Sequence, residues 1–163
     1  MSTIDQLVEN AERYRERFDR GDLPLPPAKR LAVVACMDAR LNPYELLGLE
    51  EGDAHIIRNA GGVVTDDEIR SLAISQRLLG TEEVMLIHHT DCGMLTFTDA
   101  EFHDALEDDT GVRPEWAVET FRDLEENVRE SIARIKASPF VPCKEAVRGF
   151  VYEVETGALR EVV

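Results

Sequence analysis

The chain has few cysteines, few lysines and no long apolar stretch. Nowhere in its 163 residues does an uninterrupted apolar run approach the roughly 20 residues that a membrane helix needs. The first residues are charged and polar, unlike those of a signal peptide. Three widely spaced cysteines argue against a disulfide framework and favour free thiols or metal ligands. We therefore expect a soluble cytoplasmic protein that has no membrane partner.

Positive charge is also scarce. Acidic residues outnumber basic ones 33 to 18, the formal net charge is −15, and the lysines are Lys29, Lys136 and Lys144 alone. This charge makes nucleic acids and anionic membranes poor partners. Acidic, lysine-poor surfaces are typical of proteins from salt-loving organisms, so salt adaptation is one hypothesis and an ordinary acidic cytosolic protein is the other.

The length favours a single domain, residues 1–163. Within it, residues 1–20 are predicted to form an amphipathic N-terminal helix, because apolar side chains from Ile4 to Phe18 recur at three- and four-residue steps. The proline-rich residues 21–29 are predicted to be a stiff connector. The α/β core then occupies residues 30–163.

Apolar strand-like segments alternate with helical ones along this core. The predicted strands are 31–35, 54–58, 84–89 and 147–154, followed by a short last strand at 158–163. The predicted helices are 44–49, 65–79 and one long helix over 114–137 whose apolar stripe packs in the core. This alternation predicts an α/β fold, a mostly parallel central sheet of about four strands with a short antiparallel edge strand, flanked by helices.

Three metal-binding side chains follow two of these strands. Cys36 ends the first strand, whereas His89 and Cys92 end the third. Each alone is also a common strand-end residue, but two thiolates and one imidazole at the carboxyl ends of parallel strands form a ligand set that zinc prefers. Three protein ligands leave a catalytic fourth position open. Strand alternation turns His88 to the opposite face, where it packs or supports the site.

Asp38 and Arg40 follow Cys36 at two and four residues. They are predicted to be catalytic, with the carboxylate orienting a metal-activated nucleophile and the arginine holding that carboxylate. Two alternatives stay open. The pair is an ordinary surface ion pair, or Asp38 leaves Arg40 and becomes the fourth metal ligand.

Gly61 and Gly62 come just after the second strand and are predicted to lie at the substrate pocket. Glycines before a helix can also cradle a phosphate, yet the fuller dinucleotide-binding pattern is absent. A cysteine phosphatase is disfavoured. Its phosphate loop needs an arginine six positions after the cysteine, whereas Arg40 stands four positions after Cys36. Cys143 has no partner at ligand spacing and is predicted to be structural.

Two motifs together resemble the β-class carbonic anhydrases of the compact microbial type: Cys36-x-Asp38-x-Arg40 and His89-x-x-Cys92, with Arg58-Asn-Ala-Gly between them. The resemblance covers residues 3–163. It implies a lyase that reversibly hydrates carbon dioxide to bicarbonate and a proton through hydroxide bound to Zn²⁺. It also implies a homodimer or dimer of dimers in which the N-terminal helix embraces the neighbour.

The resemblance leaves the substrate less certain than the metal site. Similar proteins with the same ligands hydrolyse carbonyl sulfide or carbon disulfide. Ala39 stands where many relatives have serine, and the upstream glutamine and aromatic pocket residues of the plant-type members are absent. A further alternative is a non-enzymatic zinc or small-anion binding module in which Asp38 is a permanent fourth ligand.

Overall fold

One five-stranded sheet carries the fold in the computed structural model, which describes residues 2–163. The strands are β1 (Leu31–Cys36), β2 (Ala54–Asn59), β3 (Glu83–His89), β4 (Val147–Tyr152) and β5 (Leu159–Val162). Their order is β2-β1-β3-β4-β5. All neighbours are parallel except β4 and β5, which are antiparallel. The predicted mostly parallel sheet with an antiparallel edge strand is confirmed.

Residues 2–163 form five α-helices: α1 (Thr3–Glu16), α2 (Pro43–Leu47), α3 (Asp66–Leu79), α4 (Asp99–Thr110) and α5 (Leu124–Ala137). Helices α3 and α5 pack on the sheet. Capping boxes begin α1, α3 and α4, with Ser2, Thr65 and Thr98 as the N-cap residues. The left-handed conformation of Gly48 ends α2 at Leu47, two residues before the end of the predicted helix over 44–49. Among residues 2–163, no helix is both long and apolar enough to cross a membrane.

The central strands are buried on both faces, which explains their continuous apolar sequence. Along β1, Ala32 and Val34 join the apolar cluster on one face of the sheet, and Val33 and Ala35 join the cluster on the other. All four side chains are fully inaccessible to solvent. Because β1 lies between β2 and β3 and is parallel to both, its carboxyl end lies beside the carboxyl ends of these two strands.

The predicted long helix over 114–137 is wrong in its first half. Helix α5 begins only at Leu124, where the Asp123 side chain accepts a hydrogen bond from the Glu126 amide at 2.9 Å. Residues 113–123 form no helix, and we call this segment the strap. Glu119 has a φ of 65°, a left-handed conformation that interrupts a right-handed helix.

The strap is held by Asp99, the first residue of α4. Its Oδ2 accepts hydrogen bonds from the amides of Val118 and Glu119 at 2.9 and 3.1 Å, and its Oδ1 accepts one from the Thr120 amide at 2.9 Å. Backbone donors that a helix would use internally are thus satisfied by a carboxylate. The acidic segment 101–109, in which the sequence showed no motif, lies within α4.

Candidate metal centre

The three predicted ligands lie together at the carboxyl ends of β1 and β3. Cys36 is the last residue of β1 and His89 the last residue of β3, while Cys92 lies in the turn after β3. Their ligand atoms are all within 4.8 Å of one another, and the residues are only 4%, 1% and 3% exposed. Because β1 and β3 are hydrogen-bonded parallel neighbours, their ends meet and bring these distant parts of the sequence into one buried cluster.

His89 presents a free ring nitrogen to this cluster. Its Nδ1 lies 2.7 Å from the Thr90 carbonyl oxygen, which can only accept, so Nδ1 carries the proton and Nε2 has the lone pair. Nε2 is buried and has no hydrogen-bond partner among residues 2–163. A buried, unpartnered imidazole nitrogen beside two thiols is a donor set that fits a borderline metal such as zinc.

The two thiols differ in acidity. A hydrogen bond from the Cys92 thiol lowers the pKa of Cys36, against the opposing effect of burial. The same contact raises the pKa of Cys92. Burial lowers the pKa of His89, but its contacts with Cys36 and the Thr90 carbonyl raise it overall. Ionisation of one thiol therefore disfavours ionisation of the other, and a bound cation would stabilise both thiolates at once.

Asp38 and Arg40 form a close ion pair beside this cluster. Arg40 Nε donates to Asp38 Oδ1 at 3.0 Å and Nη2 donates to Oδ2 at 2.8 Å, while the Arg40 amide donates to Oδ1 at 2.8 Å. These bonds hold the pKa of Asp38 well below its usual value. Asp38 Oδ2 is also 3.7 Å from His89 Nε2. The carboxylate is thus ionised, oriented and next to the ligand cluster.

Arg58, which the sequence offered only as part of a family motif, shapes the loop that carries Asp38. Its guanidinium donates to the carbonyl oxygens of Cys36 at 2.6 and 2.9 Å, and of Asp38 and Leu41 at 2.8 Å each. Three backbone oxygens of one loop are therefore bound by a single side chain. The signal available in the sequence was an arginine at the end of a strand, directly before Asn-Ala-Gly.

A cavity of about 690 Å³ opens above the cluster. Its floor includes Cys36, Asp38, His89 and Cys92. Its wall is mainly apolar, and the apolar side chains in it include Met94, Phe97, Phe102, Trp116 and Val118. Trp116 and Val118 belong to the strap and line the cavity, whereas Val128 and Ile135 of the same predicted stripe are buried in α5 as expected.

The two predicted pocket glycines have different positions. Gly61 lines the cavity. Gly62 does not appear on its wall and lies behind the site, where an added Cβ would stand 2.8 Å from the backbone nitrogen of Cys36 at a φ of 68°. Its placement in the pocket is therefore corrected, because the backbone there packs directly on β1 and leaves no side for a ligand.

Two other residues lie outside the cluster. His88 is fully buried, and its Nε2 contacts Asn127 Oδ1 at 2.8 Å, in keeping with the predicted packing role. The backbone of Cys143 is bound by the Gln76 side chain through its N–H and its C=O, at 2.8 and 3.0 Å. Cys143 is thus separate from the metal-binding group, as the sequence indicated.

Comparison with known proteins places the whole arrangement in one family. A sequence model of the family described as carbonic anhydrase matches residues 31–123. The chain is 57% identical over 162 residues to β-carbonic anhydrase 1 of Mycobacterium tuberculosis, and the alignment covers 99% of each chain. It is 36% identical over 183 residues to the carbon disulfide hydrolase of Saccharolobus solfataricus, covering 97% of this chain and 88% of the relative.

A solved structure agrees with these sequence relatives. The crystal structure of carbonic anhydrase from Streptococcus mutans has a TM-score of 0.94 to this chain at 48% sequence identity, covering 100% of this chain and 99% of that one. Fold, motifs and sequence similarity extend over nearly the full length of the relatives. The chain belongs to the β-carbonic anhydrase family.

Proposed function

We propose that this protein catalyses the reversible hydration of carbon dioxide to bicarbonate and a proton. The observation that carries the proposal is the buried Cys36, His89 and Cys92 cluster with an oriented carboxylate beside it, at the base of an apolar cavity. A neutral, linear substrate suits such a cavity because it loses little hydration on entry. Family membership supports the same chemistry.

We propose Zn²⁺ as the metal, held by Cys36, His89 and Cys92. Two sulfurs and one imidazole suit zinc better than magnesium or calcium, which favour oxygen ligands. When bound, zinc supplies Lewis acidity that makes water a nucleophile near neutral pH. Because two thiolates cancel the charge of the dication, the metal alone acidifies water less than it would with three neutral ligands.

Asp38 and Arg40 are proposed to compensate for this. The ionised Asp38 carboxylate accepts a hydrogen bond from the nucleophile and turns its lone pair towards the substrate carbon. Arg40 holds both carboxylate oxygens in place, which lowers the cost of orienting them during the reaction. The apolar wall excludes competing water from the substrate side. Release of bicarbonate then clears the cavity for the next turnover.

Stopped-flow measurement of carbon dioxide hydration on zinc-loaded protein, across pH, tests this function. We expect saturable activity well above buffer, and loss of both zinc and activity in Cys36→Ser, because a serine hydroxyl is a poor zinc ligand at neutral pH. Zinc content is measured in parallel by atomic emission. If the zinc-loaded wild type shows no activity above buffer at any pH, the enzyme function is wrong and the alternative of a non-enzymatic binding module, with Asp38 as a permanent fourth ligand, is favoured.

Hydrolysis of carbon disulfide or carbonyl sulfide is the second candidate. Carbon disulfide hydrolases are among the relatives at 34 to 36% identity, and an apolar cavity accepts any small neutral molecule of this shape. Release of hydrogen sulfide from carbon disulfide and from carbonyl sulfide is measured on the same zinc-loaded preparation that is used for carbon dioxide hydration. A kcat/KM for carbon disulfide above that for carbon dioxide would favour the hydrolase.

A further inference from the structure

We propose that Asp91 is a positioning residue for the catalytic pair, holding Arg40 in the geometry with which it orients Asp38. The catalytic consequence of this inference rests on the proposed function. The contacts by which Asp91 holds Arg40, which we call the clamp, are present in the structure itself. Asp91 lies inside the second motif, between His89 and Cys92, and was given no role by the sequence.

Arg40 is bound from two sides. On one side it meets Asp38, two residues away in the loop after β1. On the other side its Nη1 donates to Asp91 Oδ2 at 2.8 Å and its Nη2 donates to the Asp91 carbonyl oxygen at 3.0 Å. Among residues 2–163, Asp91 is the only partner of Nη1. The guanidinium therefore joins the loop after β1 to the turn after β3.

The backbone of Asp91 is arranged for this contact. Its φ is 53°, in the left-handed region that few residues other than glycine, asparagine and aspartate occupy readily. This conformation allows both the carbonyl oxygen and the carboxylate of a single residue to accept from Arg40. The turn that places His89 and Cys92 thus also supplies the second half of the arginine clamp.

The clamp affects the reaction because Arg40 contacts both carboxylate oxygens of Asp38. Asp38 is bound by Arg40 through two side-chain hydrogen bonds, so any rotation of the guanidinium moves both carboxylate oxygens. Without the contacts to Asp91, the Arg40 side chain, which is 47% exposed, is held only by Asp38, the residue that it orients. Asp38 then samples other positions, including contact with the ligand cluster only 3.7 Å away at His89.

The test compares Asp91→Asn with a matched control. Asparagine tolerates the left-handed backbone and keeps the carbonyl contact, so the substitution removes mainly the charge. Glu126→Gln is the control. Arg129 likewise contacts two carboxylates, Glu125 at 3.1 Å and Glu126 at 3.3 Å. The substitution therefore removes one of two charged partners of an arginine that does not line the cavity. Thermal unfolding verifies that both variants fold.

Two measurements separate the clamp from the reaction. The first is hydrogen exchange of the Arg40 Nε–H, followed by nitrogen-15 NMR on the metal-free protein. We expect faster exchange in Asp91→Asn and no change at Arg40 in the control. The second is steady-state hydration by the zinc-loaded protein, where we expect kcat to fall about two- to fivefold with KM unchanged, the range that an exposed ion pair supports.

The outcomes are distinct. Unchanged Arg40 exchange in Asp91→Asn overturns the clamp, whatever the activity. Faster exchange with unchanged kcat shows that the contact is merely structural and overturns the positioning role. A fall in kcat of the same size in Glu126→Gln assigns the effect to general charge and also overturns it. If the wild type hydrates no carbon dioxide, the proposed function fails while the exchange experiment still decides the clamp.

Discussion

At the scale of single residues, the geometry of the Asp38–Arg40 ion pair bears on the alternatives that the motif left open. All three hydrogen bonds from Arg40 to Asp38 are formed, and they include the Arg40 amide. In this structure the carboxylate is therefore engaged by Arg40. This geometry favours a dyad over a surface ion pair, because the Asp38 side chain is only 19% exposed and lies beside the ligand cluster.

The role of Asp38 is tested by Asp38→Asn. The amide keeps the size of the side chain but is a much weaker acceptor for the proton of the nucleophile. We expect a fall in kcat of about 100-fold, the lower end of what a positioned acid–base group contributes, with zinc content unchanged. Stopped-flow kinetics and metal analysis on the same sample check this. Loss of zinc together with activity would instead indicate that Asp38 is a metal ligand.

At the scale of secondary-structure elements, the strap forms part of the cavity wall above the carboxyl ends of β1 and β3. Its Trp116 and Val118 line the same cavity as Phe97 and Phe102. The strap has few internal hydrogen bonds and depends on Asp99, which reaches it from the start of α4. An acidic residue at a helix start thus does more than favour the helix dipole.

We expect Asp99→Asn to destabilise the protein by about 1–3 kcal/mol, because an amide cannot accept all of these bonds with both atoms. We also expect a higher KM with a smaller change in kcat, since the wall of the cavity loosens. Urea unfolding and stopped-flow kinetics measure the two effects. Asp66→Asn is the control, because Asp66 is likewise the first residue of a helix after a threonine N-cap but has no contact with the strap's amides. An equal loss in both variants would assign the effect to the helix dipole alone.

The difference in the free energy of unfolding between wild type and Asp99→Asn depends on pH in a predictable direction. Burial raises the pKa of Asp99, but the hydrogen bonds from Thr120, Glu119 and Val118 outweigh it and lower the pKa below its usual value of 3.8. A lowered folded pKa means that the stabilisation is complete above the unfolded pKa and is lost as pH falls through the folded one. The difference in free energy of unfolding between wild type and Asp99→Asn is therefore constant from pH 7 to 5, and it becomes smaller below pH 3.8. Urea unfolding at pH 7, 5 and 3.5 checks this.

At the scale of the whole molecule, the apolar face of α1 is left uncovered by the rest of residues 2–163. None of its residues is buried, and Ile4, Leu7 and Val8 are 72%, 58% and 57% exposed. Polar contacts tether this end of the chain, from Tyr14 to Glu51 and from Arg20 to Glu50. An amphipathic helix with its apolar face in solvent favours association with a second copy.

We therefore predict a homodimer or dimer of dimers that depends on the apolar face of α1. Leu7→Glu places a charge on this face and should shift the protein to monomers, because a buried unpaired carboxylate is costly at an interface. Gln6→Glu adds the same charge on the polar side of α1 and should leave the assembly intact. Sedimentation velocity measures the mass of each. Equal masses for Leu7→Glu and wild type would contradict the role of α1.

The net charge of −15 also acts on the whole molecule. Many acidic side chains repel one another, and salt weakens this repulsion. If the acidity reflects salt adaptation, the unfolding temperature should rise by several degrees between low salt and molar potassium chloride, since about 1 kcal/mol corresponds to 2–4 °C in a chain of this size. Calorimetry across this range checks it, and indifference to the salt would favour an ordinary acidic protein.

The sequence by itself determined the candidate ligand set and most of the sheet. Cys36, His89 and Cys92 could be recognised because ligand identity and strand-end position are local properties. The alternation of apolar strands with helices was equally visible, since hydrophobic periodicity depends only on neighbouring residues. Both levels identified one edge of one parallel sheet as the site, and that edge holds the cluster.

Only the tertiary structure decided how this edge becomes a cavity with an oriented carboxylate. Asp99 binds amides 19 to 21 positions away, and Arg40 meets Asp91 across 51 positions. Such contacts leave no periodic trace, so the spacing of Trp116 and Phe121 was mistaken for a helix. Gly62 was placed in the pocket for the same reason, because its distance to the Cys36 backbone depends on how the turn after β2 packs on β1 and cannot be inferred from neighbouring residues.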